Sequence, residues 1–513
     1  MPENIYRLSS SLSVQKSGSR VLLSWKDPRN GRRLSAPAGP DELLGLKIVT
    51  EGLSPEALSR RRHVPAYKFY RLLSLLDRKG ILKAPPALLR RNTRRFAADV
   101  PDEQVTATTF GLQWHVTNAC DLHCRHCYDR TPRPIMSYQQ SLRVLDELAT
   151  FCRKHWAAGE ICFTGGNPFL YPGFLKLYRA AVKKGFSVSI LGNPVTEREV
   201  EAICRIAKPS FFQVSLEGLR RHNDFMRGEG NFDRVWRFLK ILRKHKTPSA
   251  VMMTLTDLNM SQVVPLAKAL EGKTNLLTFN RLSRVGGGSA LRLPEAEKYR
   301  LFLKKYVRQA KRSPVMGFKD NLLNLSLRES GQELFGGCTG FGCGAAFSFL
   351  AILPDGDVHA CRKFPSLLGN IQRRSLEEIY DSPAARRYRR GMKVCDGCEI
   401  RQVCGGCLAA AVRPSKPISS LRDPFCWKNL GLQAHQRGLP PSSGSSRGRK
   451  TLHRPAGRSP SHLRVPCAPS AGAGLPSYLG HPLPKGEGWG SSSLPSPRGE
   501  GGERSEPGEG SLL

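Results

Sequence analysis

Between about residues 111 and 312, short apolar runs return at near-regular intervals, at 112–116, 160–164, 187–191, 211–216, 250–255 and 275–279. Stretches with helical spacing separate them, for instance Gln139 to His155 and Phe232 to Lys244. Six strand–helix repeats of this kind predict a parallel sheet, with functional groups gathered at the C-terminal ends of the strands. Residues from about 19 to 95 follow another pattern. Arg20 to Trp25 reads as a strand, and Asp41 and Glu42 open a helix with acidic residues in its first turn. A second helix is expected from Ser54, a capping residue followed by Pro55 and Glu56. A third amphipathic stretch runs from Tyr67 to Leu76 and stops at Gly80. One strand and three short helices suggest a small winged-helix-like domain over 19–95; a packing extension is the alternative.

Downstream, Leu353 to Val358 reads as a turn between two strands, with Cys361 beyond the hairpin. After about residue 435 the chain turns to glycine, proline, serine and arginine, with the short theme Lys485-Gly486-Glu487-Gly488 returning as Arg498-Gly499-Glu500-Gly501. A segment so poor in apolar residues does not offset its ordering entropy, and 435–513 is expected to be a disordered low-complexity tail.

Composition narrows the picture. A chain of 513 residues has room for two to four domains and needs no disulfide staples. Its fifteen cysteines, behind a start (Met1-Pro2-Glu3-Asn4-Ile5-Tyr6) that does not read as a signal peptide, point to metal binding in a reducing compartment. No apolar run approaches the roughly 20 residues of a membrane span, so a soluble cytoplasmic protein is expected. The net charge of +38 is spread along the whole chain, which favours solvated surface over a nucleic-acid stripe.

The chemistry concentrates in cysteines. Cys120, Cys124 and Cys127 are spaced x3 then x2 with Tyr128 after the last, directly beyond the first apolar run. Three thiolates offered to a four-iron cubane leave one iron open to a small ligand, whereas a structural zinc site closes its tetrahedron with a fourth ligand nearby. A zinc knuckle remains the competing reading of the loop alone. Eight more cysteines follow: Cys338, Cys343, Cys361, Cys395, Cys398, Cys404, Cys407 and Cys426. They suffice for two 4Fe-4S clusters or for several zinc ions. Cys152, Cys162 and Cys204 fall inside elements and read as small buried hydrophobes.

The three-cysteine loop resembles the cluster loop of the radical S-adenosylmethionine superfamily, and later motifs extend the likeness. Phe163 to Pro168 resembles a Gly-Gly-Glu-Pro turn that holds the amino group of the cofactor. Ile190 to Asn193 resembles the turn of the following strand, and Gln213 to Gly218 resembles a strand end that contacts ribose and carboxylate. The resemblance implies a partial (β/α)6 barrel over 111–312. It also implies a 4Fe-4S cluster with an open iron site on Cys120, Cys124 and Cys127, and S-adenosylmethionine contacts at Gly165, Gly166, Asn167, Asn193, Ser215 and Glu217. Reductive cleavage of that cofactor to a 5′-deoxyadenosyl radical follows from it. One position departs from the pattern: Asn167 stands where glutamate is common and brings no negative charge.

Residues 336–430 resemble the SPASM domain, although the Cys404 to Cys407 interval is one residue shorter than its commonest form. That resemblance implies one or two auxiliary 4Fe-4S clusters, one on Cys338, Cys343, Cys361 and Cys407 and the other on Cys395, Cys398, Cys404 and Cys426. The order of the three domains is similar to maturases of ribosomally made peptides, and residues 20–428 look most like the thio(seleno)oxazole modification maturases. This implies a precursor peptide as substrate and a reducing partner such as flavodoxin or ferredoxin. A sulfatase-type maturase, a nucleic-acid-modifying radical enzyme and a non-catalytic metal-binding protein stay open as alternatives.

Overall fold

A computed structural model describes residues 6–428 other than 19, 29, 54–57, 59–65, 84–87, 93–95, 97–99, 101–103 and 413–415. The expected helix start at Ser54 and the tail from 435 lie outside the described residues. The chain opens with β1 (Arg7–Leu8), β2 (Ser13–Ser17), β3 (Arg20–Lys26) and β4 (Arg33–Pro37). Helices Pro40–Thr50 and Ala66–Lys79 follow, and then β5 (Leu82–Lys83), which pairs antiparallel with β1. The order β2-β3-β4 forms an antiparallel sheet, where the sequence pattern showed one strand. The two missed strands are mostly exposed and carry no apolar alternation, while β3 sends Leu23 and Trp25 inward. These two side chains pack with Ile48, Leu73, Leu76 and Ile81 in a core of their own.

β6 (Thr109–Thr117), β7 (Ala158–Gly165), β8 (Ser187–Leu191), β9 (Phe212–Ser215), β10 (Ser249–Leu255) and β11 (Leu276–Arg281) lie side by side in sequence order, each parallel to the next. These are the six runs seen in the sequence, and they build the expected parallel α/β architecture. Near-continuous burial along them reflects helices on one face and barrel interior on the other. The crossover helices start where their capping residues direct. In Tyr138–Lys154, Ser137 Oγ accepts from the Gln140 N–H at 3.2 Å while Gln140 Oε1 accepts from the Ser137 N–H at 2.7 Å.

β12 (Phe349–Ile352), β13 (Asp357–His359) and β14 (Leu367–Asn370) complete the sheet. β12 runs parallel to β6, with Phe349 opposite Gly111, and β13 and β14 fold back antiparallel. The six-stranded sheet is therefore extended at its β6 edge by the hairpin of the cysteine-rich region. One hydrophobic core runs through both, from Trp114 and Phe163 to Phe347 and Ile379. Burying each large aromatic there contributes about 2–3 kcal/mol. This shared core fixes the first cysteine loop against the later ones.

Candidate iron–sulfur and S-adenosylmethionine site

The loop after β6 is strapped to the end of β7 by backbone contacts that only glycine permits. The Gly166 N–H donates to Thr117 O at 2.9 Å, and the Asn167 N–H donates to Ala119 O at 2.8 Å. A Cβ on Gly166 would lie 2.1 Å from Ala119 O, and Gly165 combines a φ of +130° with the same 2.1 Å approach to Thr117 O. The other side of the loop rests on a second glycine pair, which the sequence reading missed. The Gly287 N–H donates to Cys127 O at 2.8 Å, and a Cβ on Gly286 would meet Tyr128 O at 2.5 Å. The triplet Gly286-Gly287-Gly288 just past the sixth apolar run was the visible trace of this seat.

Helix Arg220–Arg227 closes the third side. The Arg125 N–H donates to Met226 O at 2.9 Å, and Arg227 Nη1 stands 3.5 Å from the Cys124 sulfur. The rest of the Arg227 guanidinium grips Glu217 Oε1, from Nε at 3.0 Å and Nη2 at 2.7 Å. Glu217 is wholly buried, and its Oε2 accepts from the Thr254 N–H at 2.7 Å. Burial alone would raise its carboxyl; neighbouring His126 and Arg227, with the Thr254 hydrogen bond, bring it below the usual range. Burial pushes the Cys124 thiol up, Arg227 opposes that, and Glu217, Cys120 and Cys127 add to it. The three sulfurs therefore sense one another.

The sequence-derived residues gather unequally around this loop. Asn193 Nδ2 lies 3.4 Å from the Cys120 sulfur, and both Asn193 and Asn167 donate to Asp121 Oδ1, at 2.6 and 3.1 Å. Ser215 ends β9 opposite Met252, while Glu217 turns into the core beneath the loop. Asp121, His126 and Arg227 complete the constellation and were not singled out from the sequence. His126 stands 3.3 Å from Glu217.

The later cysteines fall into two sets. Burial raises the Cys343 thiol to about 12, with Cys407, Cys338 and Cys361 adding to the shift. Burial likewise raises Cys395 to about 12, with Cys426 and Cys398 adding, and Cys404 is pushed up by burial and by Cys395 and Cys426. Asn321 ties the two sets together: its Nδ2 donates to Cys404 O and Gly406 O, each at 2.7 Å, and its Oδ1 accepts from the Cys338 N–H at 2.6 Å. Among the described residues, Glu197, Glu201 and His245 are the only three His, Cys, Asp or Glu donors all within 4.8 Å of one another, so no three sulfurs come that close.

Residues 114–270 match the sequence profile of the Radical SAM superfamily, and residues 343–407 match SPASM, an iron–sulfur cluster-binding domain. The mycofactocin maturase MftC of Mycolicibacterium smegmatis is 30% identical over 366 residues, covering 66% of this chain and 88% of that protein. The chain belongs to the radical SAM/SPASM family. The antilisterial bacteriocin subtilosin biosynthesis protein AlbA of Bacillus subtilis is 24% identical over 371 residues, 68% of this chain and 77% of AlbA. Among solved structures, SuiB of Streptococcus suis superposes with a TM-score of 0.51 at 17% identity, over 82% of this chain and 99% of that one, and so shares the fold. As a radical SAM/SPASM protein this chain is an enzyme whose cofactors are a 4Fe-4S cluster and S-adenosylmethionine, with further iron–sulfur binding in the SPASM part. No helix among the described residues is long and apolar enough to cross a membrane.

Proposed function

We propose that this enzyme modifies a ribosomally synthesised precursor peptide, with chemistry of the thio(seleno)oxazole type. The observation that carries the proposal is the similarity to MftC and AlbA along most of their length, because AlbA serves bacteriocin biosynthesis. The N-terminal part supports it. β2 and β4 are the two edges of a three-stranded sheet and are mostly exposed, an arrangement that accepts an extended peptide as an added strand.

In this reading Cys120, Cys124 and Cys127 hold the radical-generating cluster. Gly165, Gly166, Asn167, Asn193, Ser215 and Glu217 shape the S-adenosylmethionine site, the last from below through Arg227. Cys338, Cys343, Cys361 and Cys407 hold one auxiliary cluster and Cys395, Cys398, Cys404 and Cys426 the other, the partition that the mutual influence of the thiols supports. The bound cofactors supply a 5′-deoxyadenosyl radical upon one-electron reduction, and the protein's part is to place one substrate C–H bond beside it. The two regions meet at Tyr128, whose hydroxyl lies 3.2 Å from Arg362 Nη1 and 3.3 Å from His115 Nε2. Tyr128 follows Cys127 and Arg362 follows Cys361, so this contact joins the neighbours of one cysteine from each region. The electron comes from a cytoplasmic carrier such as flavodoxin or ferredoxin.

The test uses the reconstituted enzyme and any short peptide whose reading frame lies beside its gene. A mass change confined to the peptide core is expected with the wild type. Cys398→Ala is expected to retain 5′-deoxyadenosine formation and lose the mass change. Unmodified peptides alongside brisk 5′-deoxyadenosine formation would count against a peptide substrate, and normal product from Cys398→Ala against an essential second auxiliary cluster.

A further inference from the structure

The three-cysteine loop is flanked by opposite charges. On its Cys120 side, Asp121 Oδ1 accepts from Asn193 Nδ2 at 2.6 Å and from Asn167 Nδ2 at 3.1 Å, and Oδ2 pairs with Arg234. On the Cys124 side stands the Arg227 guanidinium, 3.5 Å from the sulfur.

The methionyl end of S-adenosylmethionine carries an amino group and a carboxylate on one carbon. A carboxylate on one flank of the loop and a guanidinium on the other, each also paired with a protein neighbour, match the two charged ends of such a group. Position 167 brings only a neutral amide to this site. Glu217, the other carboxylate beneath the loop, is gripped by Arg227 and the Thr254 N–H and is wholly buried, out of reach of a ligand. The Asp121 side chain keeps 26% of its surface open, which leaves a ligand room to reach it.

We infer that Asp121 is the anionic contact for the amino group of S-adenosylmethionine in this chain, presented by Asn167 and Asn193 and doing the work of a carboxylate at position 167. The 3.1 Å contact from Asn167 Nδ2 to Asp121 Oδ1 makes the two side chains direct neighbours on this flank of the loop. This inference rests on the assignment of Cys120, Cys124 and Cys127 to the cluster made above.

The test is binding without turnover: anaerobic equilibrium dialysis of radiolabelled S-adenosylmethionine against cluster-loaded protein in the absence of reductant, with iron measured in every sample. Asp121→Asn is expected to weaken binding by about 10- to 100-fold at unchanged iron content, the range of a lost charge-assisted hydrogen bond. Adding Asn167→Glu to that variant is expected to restore affinity to within about threefold of wild type, since the carboxylate returns from the neighbouring side chain. A role confined to shaping the loop would not be rescued in this way. Asn167→Glu alone is expected to bring no gain, because two carboxylates would then be direct neighbours. Wild-type affinity in Asp121→Asn overturns the inference, as does failure of the rescue. Should Asp121→Asn not load its cluster, Asn167→Glu decides alone: binding about tenfold tighter than wild type would show that the site lacked an anion. Absence of binding by the wild type would instead strike the cofactor assignment itself.

Discussion

At the scale of single residues, the cofactor turn is governed by what glycine lacks. Replacing Gly166 with alanine would place a methyl group 2.1 Å from Ala119 O, backbone against backbone, so the cysteine loop would have to move. Gly166→Ala is expected to lose most of the iron held by this loop after reconstitution, read as iron content and visible absorbance against the wild type; full loading would show that the loop tolerates the shift. The glycines were legible in the sequence because their order after the second apolar run matched a turn. Asp121 and Arg227 were not. Each lies far along the chain from the group it serves, with Asp121 and Asn167 46 positions apart and Cys124 and Arg227 103 positions apart, and nothing local marks such a contact. The absent charge at Asn167 was readable, whereas its neighbour's carboxylate needed coordinates.

At the scale of elements, the six parallel strands were legible because each carries a short apolar run and a helical stretch follows. β2 and β4 escaped because exposed edge strands show little hydrophobic pattern, and the pairing of β12 with β6 escaped because it joins residues more than 200 positions apart. The join between barrel and cysteine-rich region depends on Arg281 at the end of β11. Its Nε donates to Asp320 Oδ2 at 2.6 Å, and its Nη1 donates to Asp423 Oδ1 and Oδ2 at 2.6 and 2.8 Å, with all three side chains buried. Asp423 in turn accepts from the Cys407 N–H at 2.8 Å. Arg281→Met would leave two buried carboxylates unpaired and is expected to cost about 3–5 kcal/mol, seen as an earlier unfolding midpoint in urea. A midpoint equal to the wild type would mean that the core alone holds the two regions.

At the scale of the whole molecule, eleven cysteines are divided between a loop after β6 and a region some 200 residues later, and one continuous core takes in β6 side chains and seven of the eight later cysteines. Their number and spacing were plain in the sequence, and the division of the last eight into two sets was available there only through resemblance, since interleaved ligands are not paired by spacing. The central claim is that the first loop drives reductive cleavage of S-adenosylmethionine. The most direct measurement is 5′-deoxyadenosine released by the reconstituted, dithionite-reduced protein, wild type beside Cys124→Ala. The wild type is expected to release it and Cys124→Ala to release none; equal release by both, or none by an iron-replete wild type, would contradict the account.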